Sequence, residues 1–441
     1  MLFLLCLCWL PTAAATQDRI WLLDIRGAIG VATMEYVVSG IDAAHDADGH
    51  LIILRMDTPG GLDNAMRQII QRILSSNIPI VVYVSPQGAR AASAGTYILY
   101  AAHIAAMSPA TTLGAATPVQ LGGAQPPMNP AKPGEDKAPT PTTAMERKII
   151  NDAVAYIEGL ADLRGRNRQW AAQAVRSASS LSAKDALSQQ VVDIVASDTE
   201  DLLQQLEGRL VAVNGQNVSL ATANSEMVDY AATWRHEFLS ILTDPNVAYI
   251  LLLAGAYGLF FEFSNPGMGV PGIVGALCIL MALYAFQLLP INYAGAGIIL
   301  LGLGLMVAEA MMPSFGIFGI GGIIAFVIGS IILMDTVEPA FQIATPLIVA
   351  VAISSAGFIF LTIGMLLKNR RRKPVSGVET LVGQTALVEA MHGHQPMVRL
   401  QGELWRVESD TPLQPGDQVS ILSMDGLTLT VRKQLVESFD G

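Results

Sequence analysis

In Leu51-Ile52-Ile53-Leu54-Arg55-Met56-Asp57-Thr58-Pro59-Gly60-Gly61, a run of branched apolar residues ends in a proline and two glycines. The apolar run is continuous instead of alternating, which is the pattern of a strand covered on both faces, as in a parallel sheet. The amphipathic stretch that follows the glycines has helical periodicity, so the segment reads as strand, tight turn, helix. Ile20-Trp21-Leu22-Leu23-Asp24-Ile25 and Ile80-Val81-Val82-Tyr83-Val84 repeat the strand pattern with helical stretches between them. The alternation from Ile20 to about Val195 predicts an α/β domain with a largely parallel sheet. A Pro-, Gly- and Ala-rich insert from Gln120 to Thr143 interrupts it, with a composition that cannot build a core.

Outside this domain the chain has a different solvent. It is 441 residues long, 52% apolar and only 14% charged, a balance that places much of it in lipid. The net charge of −11 excludes a general basic footprint, and no nucleic-acid partner is expected. Cys6, Cys8 and Cys278 offer the soluble parts neither a disulfide framework nor a thiolate metal site. Residues 1–15 read as a signal peptide, with Leu2 to Leu10 as the apolar core and Ala13 and Ala15 before the cut, although no Lys or Arg precedes Arg19. Residues 16–225 then form the α/β domain. In 226–246, Tyr230, Trp234, Phe238, Ile241 and Leu242 recur at helical spacing, predicting an amphipathic helix beside the membrane.

Residues 247–367 contain five apolar stretches, each near the length of a bilayer-crossing helix. Lys368, Arg370, Arg371, Arg372 and Lys373 follow, a cluster expected to stay in the cytoplasm. Counting back through five spans puts the α/β domain outside the cytoplasm, in agreement with the signal peptide. The chain is thus read as a multi-pass protein of the bacterial inner-membrane type. Residues 378–437 alternate again, with turns at Gly393, Pro415-Gly416-Asp417 and Asp425-Gly426, and are read as a small all-β OB-like domain, a cytoplasmic protein-interaction module. Glu262 and Glu309 fall at the ends of apolar spans, where a carboxylate reaching the interface is favoured over a transport role.

The chemistry concentrates in two turns. Asp57 to Gly61 places two glycines at a strand-to-helix junction, with Asp57 and Gly60 shaping the supporting turn, where backbone N–H groups can hold developing negative charge. A plain βα turn without a ligand fits the same residues equally well. After the next strand comes Ala89-Arg90-Ala91-Ala92-Ser93-Ala94-Gly95-Thr96-Tyr97, in which small neighbours leave Ser93 reachable at a helix start. Such a serine is a packing residue unless a base accompanies it. His45 and His50 flank an acidic turn, and His103 follows the helix that Ser93 begins, so none is well placed. Of the lysines, Lys132 and Lys137 lie in the insert, and Lys184 stands beside Asp185. Lys148, at the start of an amphipathic helix, can be partly desolvated by its neighbours, the condition under which an amine serves as a general base. An ordinary surface lysine is the competing reading.

Asp57-Thr58-Pro59-Gly60-Gly61, Ala91-Ala92-Ser93-Ala94-Gly95-Thr96-Tyr97 and Thr112-Leu113-Gly114-Ala115-Ala116-Thr117-Pro118 together resemble the long-form NfeD family, ClpP-class membrane serine proteases that partner stomatin-like proteins. The resemblance covers nearly the whole chain, including Gly402-Glu403-Leu404-Trp405 of the C-terminal domain. It implies a crotonase/ClpP-like α/β core, a Ser-Lys dyad on Ser93 and Lys148, and an oxyanion hole at the N–H groups of Gly61 and Ala94. It also implies a serine endopeptidase that cleaves apolar segments of stomatin/prohibitin-type membrane partners by acyl transfer. The insert lengthens the serine-to-lysine spacing relative to the family pattern. No cofactor and no metal are expected, and self-association into a dimer or larger is. An acyl-CoA enzyme of the crotonase type and a non-catalytic scaffold for stomatin-like proteins are the competing functions.

Overall fold

The computed structural model describes residues 18–119, 143–264, 266–267, 269–312, 314, 316–334, 336, 339–370, 381–392 and 395–434. The expected signal peptide, nearly all of the insert with Lys132 and Lys137, and Arg371, Arg372 and Lys373 of the basic cluster lie outside the described residues.

The first strands and helices alternate as the sequence predicts: β1 (Arg19–Arg26), α1 (Val31–Asp46), β2 (Leu51–Asp57), α2 (Asp63–Leu74) and β3 (Ile80–Val84). After them come β4 (Arg90–Ala92), α3 (Ala94–Ala101), β5 (Ile104–Met107), β6 (Thr112–Gly114), α4 (Ala144–Arg164) and α5 (Arg168–Arg176). The domain ends with β7 (Ser180–Ser182), α6 (Ala183–Ser188), β8 (Ile194–Val195), α7 (Thr199–Leu206), β9 (Leu210–Val213), β10 (Gln216–Ser219) and β11 (Glu226–Asp229). Six strands form one sheet in the order β11-β1-β2-β3-β5-β8, and every pairing in it is parallel.

Both faces of this sheet are covered, which is why the middles of β1, β2 and β3 are apolar, with the charged residues of β1 and β2 at or near the strand ends. Leu23, Ile25, Ile52, Leu54, Val82 and Val84 pack into a core with α1, α2 and α3. On the opposite face Ile20, Leu22, Leu51, Ile53, Val81 and Tyr83 pack against Leu202 and Leu206 of α7 and the β9–β10 hairpin. A second, three-stranded sheet, β4-β6-β7, departs from the ends of the first and carries the Ser93 turn.

The segment 226–246 departs from the single amphipathic helix expected of it. Its first four residues are β11, an edge strand registered on β1, so the α/β domain continues past residue 225. Four residues give too short an alternation to be separated from helical spacing. The helix α8 (Trp234–Leu242) follows, and the apolar residues of the predicted stripe divide between its two faces. Leu239 and Leu242 are buried with His236, whereas Trp234, Phe238 and Ile241 are 74%, 49% and 61% exposed. Tyr230 leaves the stripe altogether: its carbonyl accepts the Tyr36 hydroxyl at 2.8 Å and its ring lies beside those of Tyr36 and Trp21.

Five apolar helices come next: α9 (Pro245–Ser264), α10 (Val270–Leu288), α11 (Tyr293–Met311), α12 (Ile317–Leu333) and α13 (Thr345–Arg370). Among the described residues α9 and α10 are long and apolar enough to cross a bilayer, and the others carry shorter apolar stretches. The first four form two hairpins built alike. Carboxylate oxygens of Glu262 accept from the N–H groups of Gly267, Gly269 and Gly272, and those of Glu309 accept from Ser314, Gly316 and Gly319 at the same offsets. Close helix approach is also repeated: a Cβ on Gly255 would stand 2.9 Å from the Gly275 carbonyl, and one on Gly302 2.7 Å from that of Gly322. Glu309, expected to reach the interface, is instead buried, because the loop after α11 folds back to donate to it.

The C-terminal unit is a closed barrel of β12 (Thr385–His392), β13 (Gln395–Leu400), β14 (Glu403–Glu408), β15 (Gln418–Asp425) and β16 (Thr428–Lys433). Its strands run β12-β13-β14-β16-β15, with β14 and β16 the parallel pair. Val388, Val398, Val407, Val419, Ile421, Leu429 and Val431 fill it. Gly416 and Gly426 turn with positive φ at two of the predicted breaks, while Gly393 lies outside the described residues.

Candidate active site

Ser93 sits between β4 and α3 with φ 50° and ψ −117°, a conformation that disfavours any side chain. Neighbouring bonds enforce it. The Ser93 N–H donates to the Gly114 carbonyl at 3.0 Å, and the Ser93 carbonyl accepts from Thr96 N–H at 2.9 Å. Thr96, fully buried, donates its hydroxyl to the Ala91 and Gly114 carbonyls and accepts from Gly114 N–H. The turn is therefore locked by β6 on one side and by α3 on the other. A serine raised on a strained strand-to-helix turn is the arrangement of a nucleophile elbow.

The Asp57–Gly61 turn is stitched to this elbow through the backbone. Thr58 N–H donates to the Arg90 carbonyl, Ala92 N–H donates to the Thr58 carbonyl, and the Asp57 carboxylate accepts from Arg90 N–H at 3.0 Å. The approach is closest at Gly60, where φ is +132° and a Cβ would lie 2.7 Å from the Ser93 Cβ. Next to it, Gly61 bridges Ile29: Ile29 N–H bonds the Gly60 carbonyl and Leu62 N–H bonds the Ile29 carbonyl. Those bonds use the flanking peptide groups. Among the described residues, the N–H groups of Gly61 and of Ala94, the first residue of α3, have no acceptor.

Gly61, Ser93 and Ala94 line one cleft of about 120 Å³, walled by Met66, Tyr97, Ala116 and Ala153 and by Phe341 from the membrane-domain loop. The helix α3 points its N-terminus at this cleft, and its dipole favours negative charge there. Its other end is closed by Arg166, 6% exposed, which donates to the carbonyls of Leu99, Tyr100 and Ala102 and pairs with Asp193 at 2.7 Å. At the rim Arg67 bonds Asp63 at 2.8 Å and Asp152 of α4 at 2.9 Å, with its guanidinium 4.4 Å from the Tyr156 ring centre. Tyr156 in turn stacks on Tyr97. Burial pushes the Tyr97 phenol above its ordinary range, so it stays a hydroxyl and donates to the Ala116 carbonyl.

The lysine stands apart from this arrangement. α4 begins at Ala144, where Thr143 and Glu146 form a reciprocal capping box, so Lys148 is the fifth helical residue and not the first. Lys148 is exposed on the helix surface, not desolvated by its neighbours, and the cleft wall from α4 is Ala153. The histidines are engaged elsewhere. His103 accepts from Ile80 N–H through Nδ1 at 3.2 Å, and burial, with Arg164 and Arg166 nearby, pushes its pKa down to about 3. His45 bonds the Ser76 hydroxyl, and His50 accepts from Ala221 N–H. Lys184 is exposed on α6. Thr58, Thr96, Gly114 and Arg166 were not singled out by sequence reasoning. The first three lay within the motif runs, where a threonine near an elbow serine looks like any small polar residue, and Arg166 lay outside them.

Comparison with known proteins matches each unit of the chain. Residues 19–214 match the model of the NfeD1b N-terminal domain, 246–365 that of the NfeD integral membrane domain, and 378–433 that of the NfeD-like C-terminal, partner-binding domain. The chain is 34% identical over 447 residues to the membrane-bound protease PH1510 of Pyrococcus horikoshii, covering 99% of this chain and 98% of that protein. It is 27% identical over 367 residues to the membrane protein NfeD1b of Bacillus subtilis, covering 79% and 74%.

Two related solved structures are of 1510-N, described as a membrane-bound stomatin-specific protease. One is a lysine-to-alanine mutant with a substrate peptide, at 34% identity over 52% of this chain and 99% of that one, with a TM-score of 0.45. Another is a serine-to-alanine mutant, at 34% identity over 49% and 99%, with a TM-score of 0.43. The class is therefore a membrane-bound serine protease. The chain belongs to the NfeD family, which bears out the resemblance carried by its motif runs.

Proposed function

We propose that Ser93 is the nucleophile of a Ser-Lys endopeptidase that cleaves apolar segments of stomatin-type membrane proteins. The observation that carries this reading is the Ser93 elbow, strained, locked from both sides and flanked by two N–H groups without an acceptor among the described residues. On attack by Ser93 Oγ, the peptide carbonyl oxygen takes the negative charge and the Gly61 and Ala94 amides hold it. Lys148 in its neutral form accepts the hydroxyl proton and passes it to the leaving amine, and water then hydrolyses the acyl-enzyme.

The 34% identity along nearly the whole chain to a membrane-bound protease supports a peptidase reading of the elbow. For Lys148 to serve, the face of α4 that it shares with exposed Met145, three residues away, must turn toward the cleft or be covered. A second copy of the chain, in a dimer or larger assembly, supplies such a cover. The strand order of the C-terminal barrel, with its one parallel closing pair, supports the OB-like reading, and the barrel is assigned to partner binding. In this reading the chain crosses the membrane five times, with the barrel on the cytoplasmic side and the protease outside.

The test is labelling of the full-length chain in detergent with a fluorophosphonate, which phosphonylates an activated serine. Labelling confined to Ser93 and abolished by Ser93→Ala is expected. Turnover that survives Ser93→Ala would overturn the reading.

A further inference from the structure

We propose that Phe341, carried by the loop between α12 and α13, is a wall of the substrate cleft and sets the size of the apolar side chain accepted beside the scissile bond. The inference rests on the reading of Ser93 as nucleophile. Phe341 is only 6% exposed although it belongs to a connecting loop of the membrane domain. Its ring faces the α/β domain: Cε1 would be 3.9 Å from a Cβ on Gly30, the residue after the Ile29 that bridges Gly61. It lines the same cleft as Ser93, Ala94 and Gly61, opposite apolar walls from Met66, Tyr97 and Ala153.

The loop is held in place as well as placed. Ala344 N–H donates to the Asn246 side chain at the start of α9 at 2.8 Å, and Ile343 is buried. At the protease end, α8 packs His236 edge-on to Tyr36 of α1 at 5.8 Å, so the first membrane helix is docked to the catalytic domain next to this loop. An aromatic ring fixed between two anchored elements is a rigid boundary, and a rigid apolar boundary discriminates by size. The membrane domain therefore acts as a part of the specificity site as well as an anchor.

The experiment uses the full-length chain in nanodiscs and a set of peptides differing only in Ala, Val, Leu or Phe on the N-terminal side of the scissile bond. A methylene in an apolar pocket changes kcat/KM by about 10–200-fold, so Phe341→Ala should raise the Phe-to-Ala selectivity ratio by about 10-fold or more. Phe341→Trp should lower it, and Phe341→Leu should fall between. Labelling of Ser93 by a small fluorophosphonate reports which variants keep a reactive nucleophile, and the selectivity ratio, in which any common change in rate cancels, is compared among those. Two outcomes overturn the proposal: selectivity ratios unchanged in every labelled variant, or all peptides and the small reagent accelerated together, which is the behaviour of a plug. Failure of the underlying reading looks different, since the wild-type chain would then show no labelling at Ser93.

Discussion

The two sides of the cleft are built to different standards. On the nucleophile side the N–H and carbonyl of Ser93 are both committed: β6 holds the first, α3 holds the second, and the glycine turn is sewn to β4. On the base side, Lys148 rides on the surface of a helix whose cleft-facing residue is Ala153, and whose attachment to the rim is the exposed Arg67–Asp152 pair. Strain can be stored only where the surroundings over-determine a conformation, and only the first side does so. The elbow is preorganised by the fold of one chain, and under the proposed dyad Lys148, exposed on α4, would have to be brought to it.

The largest expected effects test that contrast directly. Ser93→Ala should reduce turnover by about 10³-fold or more with the fold intact, and Lys148→Ala by about 10²–10⁴-fold, the span of general-base contributions. The two should part in reagent labelling as the assembly is diluted: a base delivered by self-association loses rate on dilution, whereas the elbow does not. Concentration-independent turnover in a monomeric preparation would sink the delivered-base idea and leave rotation of α4.

A smaller effect is expected at the turn. Gly60→Ala places a Cβ against that of Ser93 at a φ of +132°, and should lower kcat strongly while costing about 1–3 kcal/mol of stability, measured by denaturant unfolding. Unaltered kcat would mean that the turn does not position the nucleophile. Arg67→Ala, which frees α4 at the rim, should cost no more than about 1 kcal/mol, since its ion pairs are partly exposed, and lower activity by less than either catalytic change. An effect on activity equal to that of Lys148→Ala would make Arg67 part of the chemistry.

On activity the smallest effect is at His103, whose replacement shows instead in acid stability. His103 has a folded pKa near 3 against an ordinary 6.5, so its neutral form is the one the fold accepts. Its contribution is present above about pH 6.5 and is lost as pH falls toward 3. His103→Asn should flatten the pH dependence of unfolding in that window without removing activity at neutral pH. Loss of activity with the fold preserved would return the base assignment to histidine.

Much of this was legible from the residues. Continuous branched runs gave β1, β2 and β3 because a sheet covered on both faces leaves few polar positions in its strands, and the apolar stretches located α9 to α13 within a few residues. The elbow was legible because its parts are local: small residues, a serine and a glycine turn one strand away. β11 was not, since four residues joined to a helix do not show a period. The surroundings of Lys148 and the presence of Phe341 in the cleft were hidden for a common reason: each depends on where distant segments come to rest, which spacing does not encode.

The duplicated turns of the membrane domain have a consequence for how the protein is made. In each hairpin a carboxylate from the first helix accepts from amides of the turn and of the start of the second, so among the described residues these bonds close within the hairpin. A pair of helices that is self-sufficient in this way can leave the insertion machinery as a finished module. Biogenesis would then proceed two segments at a time, with the Phe341 loop joining the second pair to the fifth helix.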